Sequence, residues 1–179
     1  MKTETAEIRQ YLQPVFGIRP WRVKLGVGSF LTFDFGPRIR EDRHFHGKWH
    51  LWIYLSNWEL VHGGHRLVDS DADRRRIAIC TRRLEGMPLT GVDFDSRTHK
   101  TIFSFDDFRL LVSPADYLHG TDDRDNYWMF FMPDNEVLAA GPSGICLERA
   151  SDQHSSVDRR TQDAETDAVA ARRQVRLED

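Results

Sequence analysis

Two hydrophobic periods alternate along this chain. From Trp21 the period is two: Trp21, Val23, Leu25 and Val27 share one face and Arg22 and Lys24 the other, which predicts a half-solvated strand. Gly26 and Gly28 permit a bulge or tight turn before Ser29 to Phe35, where Phe30 alternates against Leu31, Phe33 and Phe35, so the two runs read as a hairpin. The run Lys48 to Leu60 is apolar on both parities, with Trp49, Leu51, Ile53 and Leu55 on one and Trp52, Tyr54 and Trp58 on the other; it predicts a strand covered on both sides. Between them, Pro37 to Gly47 carries Arg38, Arg40, Glu41, Asp42 and Arg43 and reads as a loop.

A spacing of three to four marks two helices. Ile8 and Leu12, flanked by Tyr11 and Val15 and stopped by Pro14, predict a short amphipathic helix over Thr3 to Leu12. Ile77, Cys80, Thr81 and Leu84 predict a second, with Ser70 as its cap, early aspartates matched to its dipole, and Gly86 and Pro88 closing it. Beyond Gly86 come short apolar runs: Leu89 to Phe94, Thr101 to Phe105, Arg109 to Val112, Tyr127 to Met132 and Val137 to Ala139. Turns at Asp106-Asp107 and Pro133-Asp134-Asn135 make these an antiparallel meander, with Pro114 to Asn126 the longest late connection. The pattern predicts a single α+β domain over residues 1–149, mainly antiparallel, a strongly bent sheet or open barrel carrying two helices. Aromatics vanish after Ala150, and residues 150–179 read as a polar, disordered tail.

Composition sharpens this picture. Five Trp, eleven Phe and four Tyr supply ample area for one core, and a net charge of −3 with both signs interleaved argues against nucleic acid or an anionic membrane as partner. Neither a secretory signal nor a stretch of membrane-spanning length stands out, and Cys80 and Cys146 read as inert core thiols, so a reducing cytoplasm is the expected location.

Candidate chemistry centres on histidine. Five of the eight histidines fall between positions 44 and 65. His44 and His46 would project to one side of a strand, as a pair holding a divalent transition metal does, and His50 joins them only if Gly47 bends the chain; His62, His65, His99 or His119 are the other possible completions. The order Gly36, seven residues, His44-Phe45-His46, three residues, His50 resembles the first metal motif of the cupins, a β-sandwich family, with histidine where that family has glutamate and without its second motif. The competing expectation is a solvated loop with no cofactor.

Other constellations favour structure over catalysis. Asp93 and Asp95 share a face that alternates toward solvent, and Gly26-Val27-Gly28-Ser29 matches neither a dinucleotide fingerprint nor a nucleophile elbow, so no catalytic residue is assigned. Trp49 and the aromatics Trp52, Tyr54, Trp58, Tyr127 and Trp128 read mainly as packing; where the latter five are exposed together they are the candidate protein-binding residues.

The Gly-Val-Gly-Ser-Phe-Leu-Thr-Phe-Asp-Phe-Gly hairpin followed by the Trp-His-Leu-Trp-Ile-Tyr strand resembles a group of small uncharacterised bacterial α+β domains, similar in style to immunity or accessory proteins of conflict systems. The resemblance implies a non-catalytic cytoplasmic domain with a protein partner. The alternative is a cupin-like, metal-dependent small-molecule enzyme using His44 and His46. A third possibility is small-ligand binding inside a barrel.

Overall fold

A computed structural model describes residues 2–41, 44–115 and 125–149; the 150–179 tail, His119 and most of the connection after Pro114 lie outside the described residues. Helix α1 spans Lys2–Leu12 and runs into a 3-10 turn at Gln13–Val15, where Pro14 ends it as its spacing predicts. Ile8, Leu12 and Val15 are fully buried. Polar bonds fix this helix lengthwise: Thr5 Oγ1 donates to the Phe94 carbonyl and Arg9 Nε to that of Val92.

Among the described residues eleven strands follow, all pairing antiparallel: β1 Arg22–Leu25, β2 Leu31–Glu41, β3 His44–Ile53, β4 Ser56–His62, β5 His65–Asp69, β6 Leu89–Asp95, β7 Lys100–Phe105, β8 Phe108–Pro114, β9 Trp128–Phe131, β10 Glu136–Gly141 and β11 Gly144–Arg149. They form two sheets, one ordered β1-β2-β3-β9-β10-β11 and the other β5-β4-β8-β7-β6. With the two α-helices of the described residues, this is the antiparallel α+β fold expected from the hydrophobic pattern. Among the described residues, no helix is long and apolar enough to cross a membrane.

The sheets face each other across one aromatic core. Phe33 of β2 stacks on Phe105 of β7 at 5.6 Å, and Trp128 of β9 meets Phe103 of β7 edge-on at 5.4 Å. Each such fully buried side chain contributes roughly 1.5–3 kcal/mol by leaving water. The indole N–H of Trp128 enters this dry layer only because the buried Thr101 hydroxyl accepts it at 2.7 Å.

Three local departures from the sequence expectation have clear causes. The apolar run 48–60 is two strands, because Leu55 takes a left-handed φ of 47° and turns the chain from one sheet into the other. That turn also resets parity: Trp52 faces away from the core, whereas Trp58, also even-numbered, points into it and is 2% exposed. Helix α2, Arg74–Thr81, is capped by Asp73, whose carboxylate accepts the backbone N–H groups of Arg75 and Arg76; Ser70 instead receives the Trp58 N–H through its hydroxyl. The segment Pro37 to Gly47, expected as a loop, is strand on both sides of a hairpin. A register shift between Phe35 and Arg38 takes Pro37, which has no N–H to donate, out of the ladder and lets pairing resume beyond it.

Candidate functional site

The face of the six-stranded sheet turned away from the core carries the most concentrated chemistry. Cross-strand register aligns one row over all six strands: Arg22, Asp34, His50, Phe131, Val137 and Glu148. The neighbouring row runs Lys24, Thr32, Trp52, Met129, Ala139 and Cys146. Alternation along each strand puts all of these side chains on one surface. Met129, Val137 and Ala139 form a small buried cluster, with Trp52, Tyr54, Phe131 and Cys146 packed over it.

Asp34 organises the polar half of this face. Its side chain is only 2% exposed, so ionisation demands partners, and it has three. Oδ2 accepts Arg22 Nε at 2.6 Å, while Oδ1 accepts the Gly47 backbone N–H at 2.8 Å and His50 Nδ1 at 3.0 Å. Burial alone would raise the Asp34 pKa, but the hydrogen bonds from His50, Arg22 and Gly47 outweigh it and hold the carboxyl below its ordinary value.

The proton order continues outward. His50 gives its Nδ1–H to Asp34, and on the other side of the ring its Nε2 lies 2.6 Å from His46 Nδ1. His46 Nδ1 also lies 2.9 Å from the Gly47 carbonyl. Because the Gly47 carbonyl can only accept, this contact assigns the Nδ1–H to His46, shared between Gly47 and His50. Two imidazole nitrogens around one tetrahedral zinc would stand about 3.3 Å apart, so the 2.6 Å contact is a hydrogen bond as it stands. His44 is exposed farther out on the same strand, and His62 and His65 sit on the other sheet, where His62 stacks on Phe108. Among the described residues no group of three or more His, Cys, Asp or Glu is placed to hold a metal ion.

The aromatic half adjoins His50. Phe131 packs edge-on to its ring at 6.3 Å and lies 4.6 Å from Trp52; Phe30 meets both Trp52 and Tyr54 edge-on at 5.3 Å. Of the five aromatics singled out for binding, Trp52 and Tyr54 remain partly exposed on this face. Trp58, Tyr127 and Trp128 are buried, Trp58 with its indole N–H donated to the Ser29 carbonyl. Sequence reading missed Phe30, Phe131, Arg22 and Asp34 as members of the face. The signal was the shared parity of Asp34 and His50, readable only once their strands are put in register.

Cys146, at the far side of the same face, donates its thiol to Glu148 Oε1 at 3.0 Å. Burial, reinforced by this carboxylate, pushes the thiol up to about 12, which makes it a poor nucleophile. Both cysteines are half-buried rather than sunk in the core.

No family model, curated protein or solved structure matches the chain. Its function is therefore argued from the face itself.

The remaining candidates have structural duties. Asp93 is exposed and pairs with Arg9 of α1 at 2.6 Å. Asp95 accepts the Arg97 N–H and the Thr98 hydroxyl in the β6–β7 turn, bonds that hold its carboxyl below the ordinary value despite its exposure.

Proposed function

We propose that this protein is a non-catalytic protein-binding domain, cytoplasmic and immunity-like or accessory in role, which meets its partner through the outer face of the six-stranded sheet. The observation that carries this reading is the partly exposed aromatic group Trp52, Tyr54, Phe131 and Phe30 set beside the Asp34–His50–His46 chain. Aromatic anchors next to oriented polar groups are the composition of interface hot spots. The unreactive Cys146 thiol and the structural engagement of Asp93 and Asp95 support binding over catalysis.

The test is capture of a partner from native lysate by wild-type protein and by a Trp52→Ala, Tyr54→Ala variant whose fold is checked by circular dichroism. A partner retained by wild type and lost by the variant supports the reading. Equal recovery by both, or recovery by neither, counts against it.

A second reading, a cupin-like metal-dependent enzyme of small molecules using His44 and His46, draws support from one contact: His46 meets His50, and Asp34 orients the latter, as carboxylates do for metal-bound imidazoles. Elemental analysis of purified protein separates the two. Stoichiometric zinc, iron or nickel that disappears in a His44→Ala, His46→Ala variant would favour the enzyme, and metal-free protein would retire it.

A further inference from the structure

Strands β2 and β3 outrun their neighbours. β1 pairs with β2 only from Leu31 to Asp34, and β9 pairs with β3 only from His50 to Ile53. Among the described residues, the stretch Arg38–Glu41 and His44–Gly47 pairs only with itself, a two-stranded ribbon that projects past the sheet. Such a ribbon is marginal in water on its own, and open strand edges invite another chain.

Both faces of the ribbon expose apolar side chains. Phe45, across from Arg40, is 51% exposed, and Ile39, across from His46, is 41% exposed. The ribbon is also basic in a chain that is acidic overall: Pro37 to Lys48 holds four Arg or Lys against two carboxylates, plus His44 and His46. Its direction is fixed at the base, where Asp34 takes the Gly47 N–H, Arg22 Nη2 donates to the Phe45 carbonyl at 2.6 Å, and His46 meets His50. A projecting, pre-oriented element meets a partner at less entropic cost than a loose loop.

We propose that this β2–β3 arm is the docking element for an acidic partner segment in which carboxylate and apolar residues alternate, added to the arm as an extended strand. With its apolar residues over Phe45 the segment turns its carboxylates to the face that carries Lys48, and with them over Ile39 to the face that carries Arg38. A second copy of this chain is disfavoured as occupant because two basic arms would repel. The inference rests on the protein-binding reading above and names where on the surface the partner engages.

The experiment measures fluorescence anisotropy of three labelled synthetic peptides against the full chain: alternating Glu and Val, alternating Lys and Val, and alternating Glu and Ser. The Glu-Val peptide is expected to bind tightest and to weaken as salt is raised. Ile39→Ser, Phe45→Ser protein should lose about tenfold in affinity, the scale set by burial of one large apolar side chain. Ile79→Ser protein, changed at an exposed apolar residue of α2 away from both the arm and the outer sheet face, should bind the peptide as wild type does. Equal binding of the Lys-Val peptide, undiminished binding by the arm variant, or an arm-dependent dimer in sedimentation velocity would each overturn the proposal. Peptide binding lost only in the Trp52, Tyr54 variant would overturn it too, while leaving the broader reading intact.

Discussion

The Asp34 carboxylate accepts the Gly47 backbone N–H at 2.8 Å, joining the body of the six-stranded sheet to the arm at the point where the β2–β3 ladder slips register. The same carboxylate holds Arg22 and His50, so three donors from the two flanking strands, β1 and β3, converge on one buried group. Removing it strands all of them.

Asp34→Ala is therefore expected to cost about 3–5 kcal/mol, the range for deleting one partner of a buried charged cluster. Asp34→Asn, which keeps an acceptor oxygen but offers an N–H to groups that are already donors, should cost less. Urea denaturation of both variants, followed by tryptophan fluorescence, measures the difference; a loss under 1 kcal/mol for the alanine variant would show that the cluster is not the joint described.

Acid should act through the same residue. The Asp34 pKa is lowered in the folded state, so its contribution to stability is present above the unfolded value, about 3.9, and is lost as pH falls through the lower folded value. Wild type minus Asp34→Asn should accordingly give a stability difference that is flat above about pH 5 and shrinks toward pH 2. Urea midpoints across that range test this; a difference that grows on acidification would reverse the sign and refute the assignment.

Gly47 shows the joint from the backbone side. A Cβ placed there would lie 2.5 Å from the Phe35 nitrogen and 2.6 Å from the Phe35 oxygen, both main-chain atoms that cannot swing aside. Gly47→Ala is expected to cost about 1–3 kcal/mol through forced backbone movement. Gly91→Ala is the control, since the nearest atom to its added Cβ is Ser104 Cβ at 3.9 Å. It should stay within about 0.5 kcal/mol of wild type.

These residues also show what the chain discloses before its fold is known. Period-two and period-four patterns located both helices and most strands because each reflects burial of one side of a local element. The arm was not legible: its Arg, Asp and His content looks like a loop, and only the slip at Gly36-Pro37 and the partner strand make it extended. The swap in facing between Trp52 and Trp58 hung on the φ of Leu55, for which leucine gives no signal. Local pattern joins His50 to His44 and His46 only through a bend at Gly47, and the contact of His50 with Asp34 depends on pairing 16 residues apart in sequence, beyond the reach of that pattern.

The Cys146 thiol, pushed up to about 12 by burial and by Glu148, should resist alkylation at neutral pH. In a Cys80→Ser background, folded protein treated with iodoacetamide at pH 8 is expected to label far more slowly than the same protein in urea. Glu148→Gln removes the carboxylate charge while keeping the shape, and should speed labelling of the folded form. No acceleration would mean that burial alone governs the thiol.

Trp128 gives the sharpest contrast between an aromatic that builds the core and one that could bind. Its ring is fully buried against Phe103, and its indole N–H has the Thr101 hydroxyl as acceptor. Thr101→Val keeps the volume and deletes that acceptor, leaving a buried donor unsatisfied. The expected loss is about 1–3 kcal/mol, measured by thermal or urea unfolding. Partner capture by the folded variant should be unchanged, because the change is confined to the inter-sheet layer and leaves Trp52 and Tyr54 on the opposite face untouched; impaired capture at undiminished stability would place Trp128 in the binding surface instead.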